Sequence, residues 1–275
     1  MGHTIDSKLK LNNGVHIPLL GLGTYHLSPS KMARNAILSA LQLGYRHIDT
    51  AMIHRNETDV GAAIRESGIP RDQVFITTKL WNSDQGYESA LAACKQSMKR
   101  LGVDYIDLYL IHWPVPERRL ESWRALEKLL DYGNCRTIGV SNYQYRHLEE
   151  LLGECSVVPA VNQVEFHPFL FQRELFLYCK SKSIQLEGYS PLTKGMRLRD
   201  PQLQWIAAKY NKTVAQILVR WQLEHDIVTI PKSARANRIR ENSQVFDFSI
   251  SREDMKILNN MNEDLRTSWD PTNVW

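Results

Sequence analysis

A chain of 275 residues with 43% hydrophobic content and no Gly/Ser/Pro-rich linker has material for one large core, which predicts a single domain over 1–275. Its formal charge of +4 is modest, and Lys and Arg are interspersed with Asp and Glu, which excludes a nucleic-acid footprint. No apolar run reaches membrane-spanning length, and Cys94, Cys135, Cys155 and Cys179 lack CxxC spacing or a His partner at metal-like intervals, so free thiols, no metal and a cytoplasmic location are expected.

In chain order, Lys8 to Leu11 and Val15 to Pro18 flank the turn dipeptide Asn13-Gly14 and predict a β-hairpin. Leu19 to Tyr25 reads as a first buried strand with its loop, and Ser28-Pro29-Ser30 as the cap of a helix running to about Leu43. Strand and helix signals then alternate. Strands are expected to end near Asp49, Lys79, His112, Ser141, Glu165, Tyr189 and Pro231, with helices over roughly 57–67, 84–101, 118–132, 144–152, 171–182 and 201–224. Counting the first, that makes eight strands.

Near-continuous apolar strands such as Ile106 to Ile111 favour a parallel sheet covered by helices. Two closures compete. A doubly wound sheet would carry a dinucleotide fingerprint at its first β-α turn, and Gly21-Leu22-Gly23-Thr24-Tyr25-His26 lacks the third glycine. A closed (β/α)8 TIM barrel is the preferred reading, because it sets every strand C-terminus on one face. Three apolar runs finish in an acid, a lysine and a histidine (Asp49, Lys79, His112), which predicts one shared site. Taken alone, Asp49, Lys79 and Glu57 also fit an ordinary ion-pair cluster at a barrel mouth, and His112 a satisfied core histidine. His47 and His167 read as structural.

Seven segments carry a resemblance along essentially the whole chain: Gly44 to Ala51, Ile76 to Trp81, Leu101 to Pro114, Ile138 to Tyr143, Val161 to Pro168, Gly188 to Leu192 and Ile230 to Asn242. In this order they are similar to the aldo-keto reductases, in particular the small bacterial and protozoan type. The resemblance implies a TIM barrel, NADPH-dependent reduction of aldehydes and ketones, and a lean toward a monomer. It implies catalytic roles for Asp49, Lys79 and His112. It assigns the carboxamide of the cofactor to Ser141, Asn142 and Gln163, ring stacking to Tyr189, and the pyrophosphate to Ser190 and Leu192. It places Gly23, Thr24 and Asp49 near the nicotinamide ribose, Lys232, Ser233 and Arg238 on the adenosine phosphate, and Glu241 and Asn242 on adenine. The Lys232 to Asn242 stretch alone also reads as a solvated helix start, with Arg235 and Arg240 as exposed charges.

One position departs from the family. Five residues after the aspartate, where the family has a tyrosine as proton donor, this chain has His54. An imidazole with a pKa near 6.5 is better matched to neutral pH than a phenol near 10, yet its tip falls roughly 2 Å short of a phenol oxygen. A cationic Lys79 would also disfavour imidazolium. Reduction is therefore expected to be weakened or retuned, and the competing reading is an NADP(H)-binding barrel with little turnover. A barrel acting on sugar phosphates ranks last. Tyr25, His54, Trp81, His112 and Trp113 predict an aromatic cup for small aldehydes, α-keto compounds and quinone-like molecules. Trp275 either folds over that cup or frays.

Overall fold

The structure, a computed structural model, describes residues 2–28 and 31–274. Strands β1 (Lys8–Lys10) and β2 (His16–Pro18) pair antiparallel around Gly14, whose φ of 88° suits a residue without Cβ. Leu11 and Ile17 of this hairpin pack on Phe75, Leu108, Val161 and Val228 at the N-terminal ends of barrel strands. The expected hairpin is thus the plug of the barrel floor.

Above it, β3 (Leu22–Gly23), β4 (His47–Asp49), β5 (Phe75–Leu80), β6 (Leu108–Ile111), β7 (Ile138–Ser141), β8 (Val161–Glu165), β9 (Gln185–Tyr189) and β10 (Val228–Thr229) lie side by side in chain order, all parallel. Gly21 N–H donates to the Thr229 carbonyl and Thr229 N–H to that of Leu19, each at 2.9 Å, and Leu20 bridges Thr229 in parallel. These bonds join the first strand to the last. The sheet therefore closes, as the missing third glycine suggested. A Cβ on Gly23 would meet the Ile230 carbonyl at 2.7 Å, so the seam requires glycine there.

Strands β5 and β6 are buried at every residue, because helices cover the outer face and side chains fill the inner one. The covering helices are α1 (Lys31–Gln42), α2 (Glu57–Glu66), α3 (Tyr87–Leu101), α4 (Arg119–Asp131), α5 (Tyr145–Glu154), α6 (Arg173–Ser181), α7 (Pro201–Lys209) and α8 (Val214–Glu224). The single helix expected over 201–224 is two. Asp200 caps α7 by accepting from the Gln202 and Leu203 amides, and Thr213 with Gln216 forms a capping box that starts α8. Two more helices follow the last strand, α9 (Ala236–Ser243) and α10 (Arg252–Asn259); the second was not expected. Its signal was present, since Ser251 caps it with Glu253 and Asp254 in the first turn. The expected cap at Ser28-Pro29-Ser30 falls largely on residues 29 and 30, outside the described residues. The four cysteines are free thiols, and no helix among the described residues is long and apolar enough to cross a membrane.

Candidate active site

The alternation of side chains along a strand decides what enters the barrel. Asp49 is in register with Thr77, so Lys79, two residues on, projects inward one layer above Thr77. Lys79 Nζ donates to both Asp49 carboxylate oxygens at 2.7 Å and to the Thr50 carbonyl at 2.9 Å. All three ammonium protons are thereby used. Gln163 from β8 adds a 2.8 Å bond from Nε2 to Asp49 Oδ2. Lys79 and Asp49 are 2% and 3% exposed, so the pair stands only because each charge is matched in full. Glu57 is not part of this cluster: it accepts from Thr78 at 2.6 Å and Arg100 at 2.5 Å. The mouth ion-pair reading of Asp49, Lys79 and Glu57 is therefore split.

Over this pair opens a cleft of about 1270 Å³ at the C-terminal ends of the strands. Two histidines border it. His54 closes a single 3-10 turn after β4, ended by Arg55 at φ 59°, and its Nδ1 lies 3.3 Å from Thr24 Oγ1. His112 follows β6, with its ring edge-on to Trp81 at 5.2 Å and to His54 at 6.1 Å between centroids. Burial, and then the Lys79 charge, hold both imidazoles well below the ordinary histidine pKa. Both are neutral at pH 7. No hydrogen bond among the described residues joins His54 to Lys79.

Next along the cleft, Ser141 Oγ donates to the Gln163 carbonyl at 2.8 Å, and Asn142 Nδ2 to that of His112 at 2.9 Å. Tyr189 hydroxyl donates to Asn142 Oδ1 at 2.8 Å. Asn142 sits at φ 64°, a conformation asparagine tolerates. At the far end lie Lys232, Ser233, Arg238, Glu241 and Asn242, with Ser190 and Leu192 between. Every residue expected in the site lines this cleft except Thr24, which is fully buried and bonds His54 and Asn56 instead.

Several lining residues were not anticipated. Arg235 is an exposed charge, as expected, and also lines the cleft. Thr267, Ser268 and Trp269 join it from the C-terminal segment because the Thr267 and Ser268 amides donate to the Glu165 carboxylate at 2.9 and 3.1 Å. Trp269 then packs on Trp113 at 5.6 Å. No local pattern signals a contact across a hundred residues. Trp275 is outside the described residues.

Beneath the site lies a second buried polar layer. His47 Nε2 bonds Thr77 Oγ1 at 2.9 Å and lies 3.7 Å from Glu187 Oε1, while neither Glu187 oxygen has a hydrogen bond of ordinary geometry among the described residues. Burial, then Asp49, pushes the Glu187 carboxyl up to about 8; burial, then Lys79, pushes His47 down to about 3. The signs oppose. A histidine kept neutral when folded loses stability as pH falls below its unfolded value of 6.5, whereas a carboxyl kept protonated loses it as pH rises from 4.5 to 8. Between 4.5 and 6.5, His47, His54 and His112 outweigh Glu187; above 6.5, Glu187 acts alone at about 1.4 kcal/mol per pH unit. Thermal melting is accordingly expected to peak near pH 6.5, and Glu187→Gln to abolish the alkaline decline. A melting temperature equally high at pH 8 in the unmodified protein would contradict this.

Comparison with known proteins identifies the family. A glyoxal reductase from Bacillus subtilis is 50% identical over 271 residues, covering 98% of each chain. The crystal structure of an aldo-keto reductase from a Medee basin deep-sea metagenome library superposes with a TM-score of 0.94 at 47% identity, covering 96% of this chain and 98% of that one. A Bombyx mori aldo-keto reductase in complex with NADP superposes at 0.90 with 34% identity, covering 96% and 95%. The model of the Aldo/keto reductase family matches residues 19–263, and the chain belongs to that family.

Proposed function

We propose that this protein reduces small aldehydes and ketones with NADPH in the cytoplasm, at a rate set by the imidazole of His54 in place of a phenol. The observation that carries the reading is the single cleft in which Asp49, Lys79, His54 and His112 meet the cofactor-type residues from Ser141 to Asn242. The cofactor fits the residues present. Lys232, Arg235 and Arg238 line the far end without an ion-pair partner among the described residues, which suits a dianionic 2′-phosphate. When bound, NADPH supplies the hydride that a carbonyl carbon accepts.

This chain's residues do the rest. Tyr189 offers an aromatic face, and Ser141, Asn142 and Gln163 offer polar groups for a carboxamide. Tyr25, Trp81, Trp113 and Trp269 line an aromatic part of the cleft, which suits a compact carbonyl. A relative named for glyoxal supports small dicarbonyls as substrates. His112, neutral and buried, is a donor for the carbonyl oxygen as it gains charge.

Fluorescence titration tests the cofactor. NADPH should bind more tightly than NADH, and Arg238→Ala should weaken NADPH by roughly 10-fold or more, the size of a lost charged hydrogen bond, with NADH unaffected. Equal affinity for the two nucleotides would overturn the NADPH assignment. The second reading, a cofactor-binding barrel with little turnover, is favoured by the complete occupation of the Lys79 protons and by His54 resting on Thr24. Quenching of NADPH fluorescence without its oxidation across a panel of aldehydes would select it.

A further inference from the structure

We propose that Glu165 is a positioning residue: its buried carboxylate holds Thr267 to Trp269 as a strap that ties the substrate end of the cleft to the loop on the cofactor side, so that nucleotide release and substrate affinity move together. The inference rests on the reading above for what occupies each end of the cleft.

Glu165 ends β8, is 1% exposed and is not among the residues lining the cleft. Its Oε1 accepts from the Thr267 amide at 2.9 Å and from the Thr267 hydroxyl, and its Oε2 accepts from the Ser268 amide at 3.1 Å. His167 Nε2 lies 3.3 Å from Oε1. Burial pushes this carboxyl up, but the bonds from His167 and Thr267 outweigh burial and hold it below the usual carboxylate value. The anchor is therefore charged at pH 7, and an ionised acceptor of amide protons is a strong one. Just ahead of the strap, the Phe169 carbonyl takes the Glu263 and Leu265 amides at 3.1 and 3.0 Å. Both holds come from the end of β8 and the loop after it.

The stretch held in this way touches three parts of the cleft. Trp269 packs on Trp113 at the substrate end, 5.6 Å between ring centroids, and Ser268 meets the Tyr189 hydroxyl. On the cofactor side, the Thr267 carbonyl accepts from Lys194 Nζ and Glu263 pairs with Arg197. Lys194 and Arg197 follow β9 on the loop that carries Ser190 and Leu192 into the cleft. Within that loop Ser190, Thr193 and Lys194 have φ of 50°, 50° and 51°. Side chains seldom adopt this conformation, so a turn built from it depends on its surroundings to persist. The Lys194 and Arg197 ties are part of those surroundings.

Coupling follows from this connectivity. Moving the loop aside to release a nucleotide either breaks the Lys194 tie or lifts the strap, and lifting the strap takes Trp269 off Trp113. A carboxylate that meets neither substrate nor cofactor thus acts on both through the segment it holds.

Hydrogen exchange reads the anchor without any ligand. The Thr267 and Ser268 amides should be protected in the unmodified protein, and Glu165→Gln should lower that protection about 10-fold, the size of a lost charged hydrogen bond. The same variant should speed NADPH release, followed by stopped-flow fluorescence against an excess of NADP, and raise KM for glyoxal in the His54→Tyr background, each by about 10-fold, with no fall in kcat. Ser268→Pro removes one of the two amides and leaves β8 untouched; it should shift release and KM in the same direction, and it decides the matter if Glu165→Gln does not fold. Amides as protected in Glu165→Gln as in the unmodified protein, or amides freed with NADPH release and KM unchanged, would overturn the inference. Failure of the unmodified protein to bind NADPH would overturn the proposed function and the coupling with it, while the amide exchange still decides the anchor.

Discussion

His54→Tyr should raise kcat/KM for small aldehydes by about 10²- to 10³-fold, the lower part of the range for a well-placed general acid. The position follows β4 and Asp49 directly and lines the cleft beside His112, so whatever occupies it faces the substrate. Imidazole is at a double disadvantage as a donor there. Burial and Lys79 keep it neutral, and its own Nδ1 is held on Thr24 rather than near Lys79. A phenol is longer, carries its proton throughout the neutral range and is made more acidic by a neighbouring ammonium. Affinity for NADPH should not change, because the phosphate-type cations lie at the other end of the cleft. Steady-state rates with glyoxal-sized substrates check this, and an unchanged kcat/KM would show that position 54 carries no proton.

Asp49→Asn should be the most damaging single change to the fold and to the chemistry together. The substitution preserves shape and removes a charge that satisfies two of the three Lys79 protons at 2.7 Å. An ammonium 2% exposed would be left without its counter-charge, a loss of about 3–5 kcal/mol. Urea denaturation measures the loss, and NADPH oxidation in the His54→Tyr background measures the chemistry, which should disappear. Adding Lys79→Met to Asp49→Asn should recover part of the stability and none of the activity. A double variant as unstable as Asp49→Asn alone would mean that the stranded charge is not the cause.

These expectations trace to features a reader of the sequence can see, and their gaps have physical causes. Apolar runs that finish in Asp49, Lys79 and His112 are legible because ionisable residues at buried strand ends are costly unless used, and the structure brings all three to one cleft. The barrel rather than an open sheet follows from what the Gly21 to His26 turn lacks, and the Gly21 to Thr229 bond closes it. The 201–224 stretch reads as one helix because its apolar period runs unbroken through residues 210–213, which hides the Thr213 to Gln216 capping box that starts the second helix. Thr24 was expected at the nicotinamide ribose. Its hydroxyl is committed to Asn56 and His54, a consequence of where Asn56 lies in three dimensions rather than of any spacing. Trp269 and Arg235 enter the cleft for a similar reason: their placement depends on distant partners or on the start of α9.

The central claim is that one cleft holds a nicotinamide against Asp49, Lys79, His54 and His112. A crystal structure of the protein soaked with NADP measures it most directly. The nicotinamide should lie on the Tyr189 ring with its reactive carbon facing the two histidines, and the 2′-phosphate among Lys232, Arg235 and Arg238. A nucleotide bound elsewhere, or in the cleft with its nicotinamide away from Lys79, would contradict the account.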